Sequence, residues 1–201
     1  ALDTKGAEYR FVKECIEKRG HRTFVVDVGV LGPPAMPPDV SRDEVARAGG
    51  GDAAALREKK DRGEAMAVMT RGAQALLPRL HAEGRFDGIM ALGGSGGTVI
   101  GCAAMRALAL GVPKVMVSTL ASGDVSSFVG TKDILMLHSV VDVAGVNRIS
   151  GWILANAARA IAAMVRGRPW TPDRERPVVV ATMFGVTTPC VTEARRILEA
   201  A

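Results

Sequence analysis

The sequence predicts an α/β fold built on a mostly parallel sheet flanked by helices. Three observations lead there. Short β-branched runs alternate with longer amphipathic ones along the 201 residues, the signature of parallel α/β architecture. The loops leaving the expected strands are rich in Gly, Ser, Thr and Asp, the residues of ligand-holding strand-end loops. Apolar residues make up 48% of the chain but aromatic ones only 4%, so small side chains dominate and let helix and sheet layers approach closely.

Taken in order, the spacing predicts a helix over Ala7–Arg19 with Val12, Cys15 and Ile16 on one face, stopped by Gly20. Thr23–Val28 reads as a strand buried on both faces, to judge from Phe24, Val25 and Val26. A proline-rich loop (Gly32–Pro38) follows, then a short helix behind Ser41 and Glu44, a capping-box pair. Gly49–Gly51 breaks the chain before a long helix over Arg62–Ala82, whose Met66, Met69, Ala73, Leu76, Leu77 and Leu80 keep helical spacing. Asp87–Leu92 is the next strand, with a helix running to Leu110. Lys114–Val117 and Ile134–Leu137 are further strands, and Asn147–Val165 is a helix with Ile153, Leu154, Ala157, Ile161 and Met164 as its apolar stripe.

Residues 1–166 thus read as one Rossmann-like lobe and 167–176 as a linker with two prolines. Residues 177–201 read as the first β-loop-α unit of a second, similar lobe: a strand over Pro177–Thr182, a loop over Phe184–Thr188 and a helix over Pro189–Ala201. The opening Leu2-Asp3-Thr4-Lys5-Gly6 has the form of a strand-end loop and the chain ends inside a helical run, so the expectation is a piece of a longer protein whose first strand precedes it.

Composition narrows the function. The formal charge is +5, from scattered arginines, and the basic stretches at 57–62 and 166–176 are interrupted by Asp, Glu, Gly or Pro; a nucleic-acid partner is not expected. Cys15, Cys102 and Cys190 are widely spaced with no CxxC pair, which argues for a reducing compartment and a cytoplasmic setting. No membrane span or signal segment is expected.

The chemistry is expected in the strand-end loops. Gly93-Gly94-Ser95-Gly96-Gly97-Thr98 lies between a strand and a helix, where glycines let the backbone approach a ligand and the N–H groups of Gly96, Gly97 and Thr98 meet an anion. It is no Walker loop, since no Gly-Lys-Ser/Thr follows, and Val99 stands where the dinucleotide fingerprint needs its third glycine. Phosphate or carboxylate is therefore the expected partner. Lys5 can neutralise phosphate oxygens, and Asp3 can orient it or hold a metal through water. Ser118, Thr119, Ser122 and Asp124, with Gly123, offer hydroxyls and a carboxylate for ribose, phosphate or Mg²⁺, or serve as turns and caps. His138 reads as a hydrogen-bonded core histidine and Cys190 as a small packing residue.

Leu2–Gly6, Asp27-Val28-Gly29-Val30, Gly93–Thr98, Val117–Asp124 and Asn156-Ala157-Ala158, in this order along the chain, resemble the ATP-binding domain of the tomato mosaic virus resistance protein family. The resemblance implies Rossmann-like subdomains in a two-lobed region, self-association, and ATP, with or without Mg²⁺, held by Asp3, Thr4, Lys5, Gly6, the glycine loop and the 118–124 loop. Two other readings stand beside it: an enzyme acting on a small phosphorylated or carboxylated metabolite in the inter-lobe cleft, and a dimerisation or assembly module without ligand. No catalytic residue or reaction is legible.

Overall fold

The computed structural model describes residues 2–167 and 179–200. They fall into two compact units, Ala1–Arg168 and Pro169–Ala201.

In the first unit, α1 (Gly6–Glu17) is followed by α2 (Arg42–Ala48), α3 (Ala53–Lys59) and the long α4 (Arg62–Ala82). Then come β1 (Ile89–Gly93), α5 (Ser95–Ala107), β2 (Lys114–Ser118), the one-turn α6 (Ser126–Val129), β3 (Leu135–His138) and α7 (Arg148–Arg166). The three strands pair in parallel in the order β1-β2-β3, giving the expected α/β, Rossmann-like arrangement. Two helix starts follow the expected capping chemistry. The Ser41 side chain accepts from the Glu44 N–H while Glu44 reaches back to the Ser41 N–H, and Asn147 accepts from Ile149 and Ser150 at the start of α7.

Alternation along the strands sorts the core into two layers. Leu92, Val115, Val117 and Leu137 pack against Val12 of α1 and Leu154, Ala157, Ala158 and Ile161 of α7. On the opposite face, Ala91, Met116 and Met136 pack against Cys102 and Met105 of α5. A third cluster joins α2, α3 and α4 to Ile100 and Ala104 of α5. Its tightest point is the crossing of α2 and α4. A Cβ on Gly72 would overlap the Val45 carbonyl, and one on Gly49 would overlap the Val68 carbonyl, so backbone rests directly on backbone.

Two expected strands are absent. Residues 23–28 make a single parallel bridge, Val26 to Val40, rather than a ladder. Their backbone groups are spent on the return segment instead: the Asp27 N–H donates to Val40 O at 3.0 Å, the Val40 N–H to Val25 O at 3.1 Å and the Val25 N–H to the Asp39 carboxylate at 2.7 Å. Nor is the segment buried on both faces; Phe24, Val26, Val28 and Val30 are only partly buried, against the α2–α4 cluster. In the second unit, Val179–Thr182 form no strand, having no ladder partner among the described residues. Residues 177–178 and the expected linker beyond Gly167 lie outside the described residues. That unit consists of a 3-10 turn (Gly185–Thr187) leading into α8 (Thr188–Ala200), so the helix begins at Thr188 rather than after it. Two short helices, α3 and α6, were not expected.

The N-terminal edge of the sheet is closed by a buried charge. The Lys114 ammonium, fully buried at the start of β2, donates to Ala109 O at 2.7 Å, Val112 O at 2.8 Å and the Asp133 carboxylate at 2.8 Å. Asp133 also accepts from the Gly111 N–H at 2.8 Å. Desolvation, the largest single influence, pushes the Asp133 carboxyl up, but the bonds from Lys114 and Gly111 outweigh it and leave it below its ordinary value.

Two predictions follow from this packing. Gly72→Ala gains about 1 kcal/mol of helix propensity yet forces α2 off α4, so a net loss of about 2 kcal/mol is expected in urea unfolding. Because the folded-state pKa of Asp133 is depressed, its contribution is complete above its unfolded value of 3.8 and is lost as pH falls through the folded value. Asp133→Asn should therefore flatten the acid limb of a stability-versus-pH curve; an unchanged acid limb would show that the pair contributes nothing.

Candidate functional site: the C-terminal edge of the parallel sheet

Parallel pairing brings the strand ends to one edge, and the register aligns Gly93, Ser118 and His138 across it. The chain leaves β1 through Gly93 at φ +157, where a Cβ would lie 3.1 Å from the Gly97 Cα; only glycine fits there. Gly94 then caps α5 without a side chain. The N–H groups of Ser95, Gly96 and Gly97 have no intrahelical acceptor, and no side chain or loop carbonyl takes them among the described residues. The Thr98 N–H, by contrast, donates to Gly94 O at 2.9 Å, so that part of the expected anion cradle is already engaged.

The loop is braced from beneath. Thr98 and Ser118, both fully buried, share a hydroxyl–hydroxyl bond of 2.7 Å. Thr98 Oγ1 also reaches Gly94 O at 2.8 Å, and the Leu120 N–H donates to Ser118 Oγ at 3.0 Å. These hydroxyls hold the loops rather than face solvent. Thr119 is better placed for a ligand: its N–H donates to Gly93 O at 3.3 Å, and its Oγ1 lies 3.7 Å from where a Gly94 Cβ would stand. On the other flank, a Cβ at Gly96 would sit 3.4 Å from Met66 Sδ and 3.8 Å from Arg62 Nη2. Arg62 is exposed and makes no ion pair or hydrogen bond among the described residues, and the first turn of α5 carries no acidic side chain. An arginine and three unspent amides thus meet at one spot.

The Asp3–Gly6 loop makes its hydrogen bonds elsewhere in the domain, with one atom left over: Asp3 Oδ1 is buried without a partner. Asp3 accepts from the Leu31 and Gly32 N–H groups at 2.8 and 3.3 Å and makes no ion pair with Lys5. Lys5 is the backbone cap of α1, whose first turn holds its own carboxylate, Glu8, buried and accepting from the Gly145 N–H at 2.6 Å. Thr4 is exposed, and Gly6 is pressed against Ala35. One link does run to β1: the Tyr9 hydroxyl donates to Leu92 O at 3.2 Å and accepts from the Leu92 N–H at 3.3 Å. Burial raises the Tyr9 phenol; the bond to Leu92 opposes this, and the nearby charges of Asp27 and Glu8 add to it. Ser122, Gly123 and Asp124 are exposed. Asp124 accepts from the Ser126 N–H at 2.8 Å, a bond that lowers its carboxyl below the ordinary value. No hydrogen bond joins residues 3–6 or residues 122–124 to residues 93–98 among the described residues.

His138 departs from the reading as a hydrogen-bonded core residue: its Nδ1 is buried and has no partner. Arg62 beside Gly96 and Tyr9 against Leu92 are neighbours of this edge that sequence reasoning did not single out. No group of three His, Cys, Asp or Glu side chains gathers for a metal among the described residues, and none of their helices is long and apolar enough to cross a membrane.

Residues 1–169 match the model of the N-terminal domain of an uncharacterised protein family, UPF0261. The chain belongs to the UPF0261 family. A UPF0261 protein of Clostridium tetani is 52% identical over 98% of the chain, which covers 49% of that protein. A second, from Rhizobium meliloti, is 48% identical over 94% of the chain and 46% of its own length. The chain therefore spans about half the length of these bacterial relatives. The tomato mosaic virus (ToMV) resistance protein Tm-1(GCR237) of Solanum lycopersicum is 42% identical over 68% of the chain, which covers 19% of that protein. The UPF0261 match thus reaches through α7 and takes in the whole strand edge.

Ser118→Ala in this UPF0261 domain removes the acceptor of the Leu120 N–H and a partner of Thr98. A loss of about 1–2 kcal/mol in chemical unfolding is expected; a neutral substitution would show that the hydroxyl pair does not brace the loop.

Proposed function

We propose that the domain binds a nucleoside phosphate, ATP foremost, alone or with Mg²⁺, at the C-terminal edge of its sheet. The observation that carries this reading is the start of α5: three amides and an arginine beside Gly96 that have no partner among the described residues, with no acidic side chain in the first turn. A helix start with its amides open and its dipole uncompensated favours an anion, and an arginine adds a charge-assisted bond to phosphate oxygens. α1 makes the contrast, since Glu8 already supplies its negative charge. The likeness to the ATP-binding domain of the tomato resistance family supports ATP within this class. Three unpaired cysteines support a cytoplasmic setting.

A second reading, self-association, rests on a different observation. Val146, Ile149 and Trp152 leave 40%, 47% and 64% of their surfaces exposed around the start of α7, an apolar cluster of the kind that interfaces cover. Sedimentation at rising concentration tests it directly.

For the ligand, ATP at a hundred times its Kd should raise Tm by roughly 5 °C or more. Gly96→Asp should abolish that rise, because its carboxylate takes the phosphate position beside Arg62. Gly96→Ala should keep it, since its Cβ meets only the flexible Met66 and Arg62 side chains. Arg62→Gln should weaken ATP binding about fivefold and reduce its salt dependence. Full ATP affinity in Gly96→Asp would overturn the assignment.

A further inference from the structure

β3 ends at His138, in register with Ser118, which is in register with Gly93. Adjacent strands lie about 4.8 Å apart, so His138 stands about 10 Å from Gly93 along the edge. Met136, two residues earlier, packs with Met116 on the α5 side of the sheet. Alternation therefore puts His138 on the same face as Ser118, whose hydroxyl meets Thr98 of α5.

Two features of this strand end lack a structural account. Nδ1 of His138 is buried without a hydrogen-bond partner, although buried polar groups are almost always paired and an unpaired one costs stability. The chain then turns abruptly. The Val141 N–H donates to Ser139 O at 2.7 Å across Val140, which has φ +62. A three-residue turn with positive φ at its centre is rare and strained, and doubly unfavourable at a β-branched residue. The turn is nonetheless fixed: the Ser139 N–H donates to Ser118 O at 3.1 Å, and its hydroxyl donates to Val141 O at 2.7 Å. Strain held in place at the end of a sheet strand accompanies functional positions.

We propose that His138, a half-buried residue, is the second anchor of the ligand site, its ring turning about Cβ–Cγ so that Nδ1, covered in the unliganded chain, hydrogen-bonds the nucleoside end of a ligand whose phosphates lie at the start of α5. This rests on the phosphate reading above and extends it to the ligand's length. Inorganic phosphate or a compact phosphorylated metabolite cannot reach both places at once, whereas a nucleoside di- or triphosphate spans them. The imidazole serves as donor or acceptor at Nδ1 according to tautomer, and either suits a sugar hydroxyl or a base edge.

The test is calorimetric titration of the protein with ATP and with tripolyphosphate, which carries the phosphates without the nucleoside. His138→Ala should weaken ATP about three- to tenfold and leave tripolyphosphate unchanged, the latter also reporting that the variant is folded. His138→Asn, whose amide falls near the position of Nδ1, should restore most of the ATP affinity, and His138→Gln should not. Equal losses for both ligands, no loss for either, or rescue by Gln in place of Asn would overturn the proposal. If the wild-type protein binds tripolyphosphate as tightly as ATP, the phosphate site stands and the His138 anchor falls. If it binds neither, both fall together.

Discussion

The constraint on which the rest depends is parallel pairing in one fixed register. A parallel ladder makes the two ends of the sheet chemically different, because every strand enters at one edge and leaves at the other. In this chain the entering edge is shut. Lys114 is buried there with all three of its hydrogen bonds directed to protein acceptors, two carbonyls and the Asp133 carboxylate. A saturated ammonium offers nothing to a ligand. The leaving edge is organised differently: a glycine, a serine and a histidine end their strands in a row, and only the serine has its polar group fully used.

The loops above that edge are set by charges and hydroxyls rather than by the hydrophobic layers. Asp27, fully buried, accepts from Arg42 at 2.7 and 3.0 Å and from the Leu2 and Gly29 N–H groups at 3.1 and 2.9 Å. One carboxylate thereby ties the opening segment, the 27–32 loop and the first turn of α2 together. A buried pair of this kind contributes little net stability against an apolar replacement, but losing one partner leaves a buried charge and is costly. Its value lies in fixing which loop lies where. The Thr98–Ser118 hydroxyl bond does the same for the glycine loop and the exit of β2.

Most of the architecture was legible because it rests on local signals. Ser41 and Glu44 announce α2, the apolar stripe announces α4, and glycine after an apolar run announces the exit from β1. The 23–28 run misled because β-branched composition reports a tendency to be extended, while a strand also needs a hydrogen-bonding neighbour; Asp39 and Val40 took those groups first. α3 carries a local signal, Asp52 accepting from the Ala55 N–H ahead of an alanine-rich run, but the three glycines before it read as a break. The site was legible only in part. Gly93–Thr98 could be found by composition and position. Arg62 could not, because it belongs to a helix 31 residues earlier and reaches Gly96 only through the packing of α4 on α5. Loop polarity alone does not show how the Asp3 carboxylate divides: Oδ2 accepts from the Leu31 and Gly32 N–H groups, while Oδ1 is buried without a partner.

The chemistry at the edge also limits what it can hold. Amides at a helix start and one exposed arginine attract an anion without distinguishing phosphate, sulfate and carboxylate, since each presents oxygen acceptors and negative charge to the same donors. Selectivity therefore has to come from a second contact at a fixed distance, and a rigid parallel sheet supplies that distance as a multiple of the strand spacing. Strands two apart place groups on the scale of a nucleotide rather than of a single phosphate. A cluster of donors around one helix start cannot measure length, however many donors it gathers. On the proposed reading the sheet serves recognition as a ruler, with its zero at the start of α5 and its mark wherever the next strand end leaves a polar atom unspent.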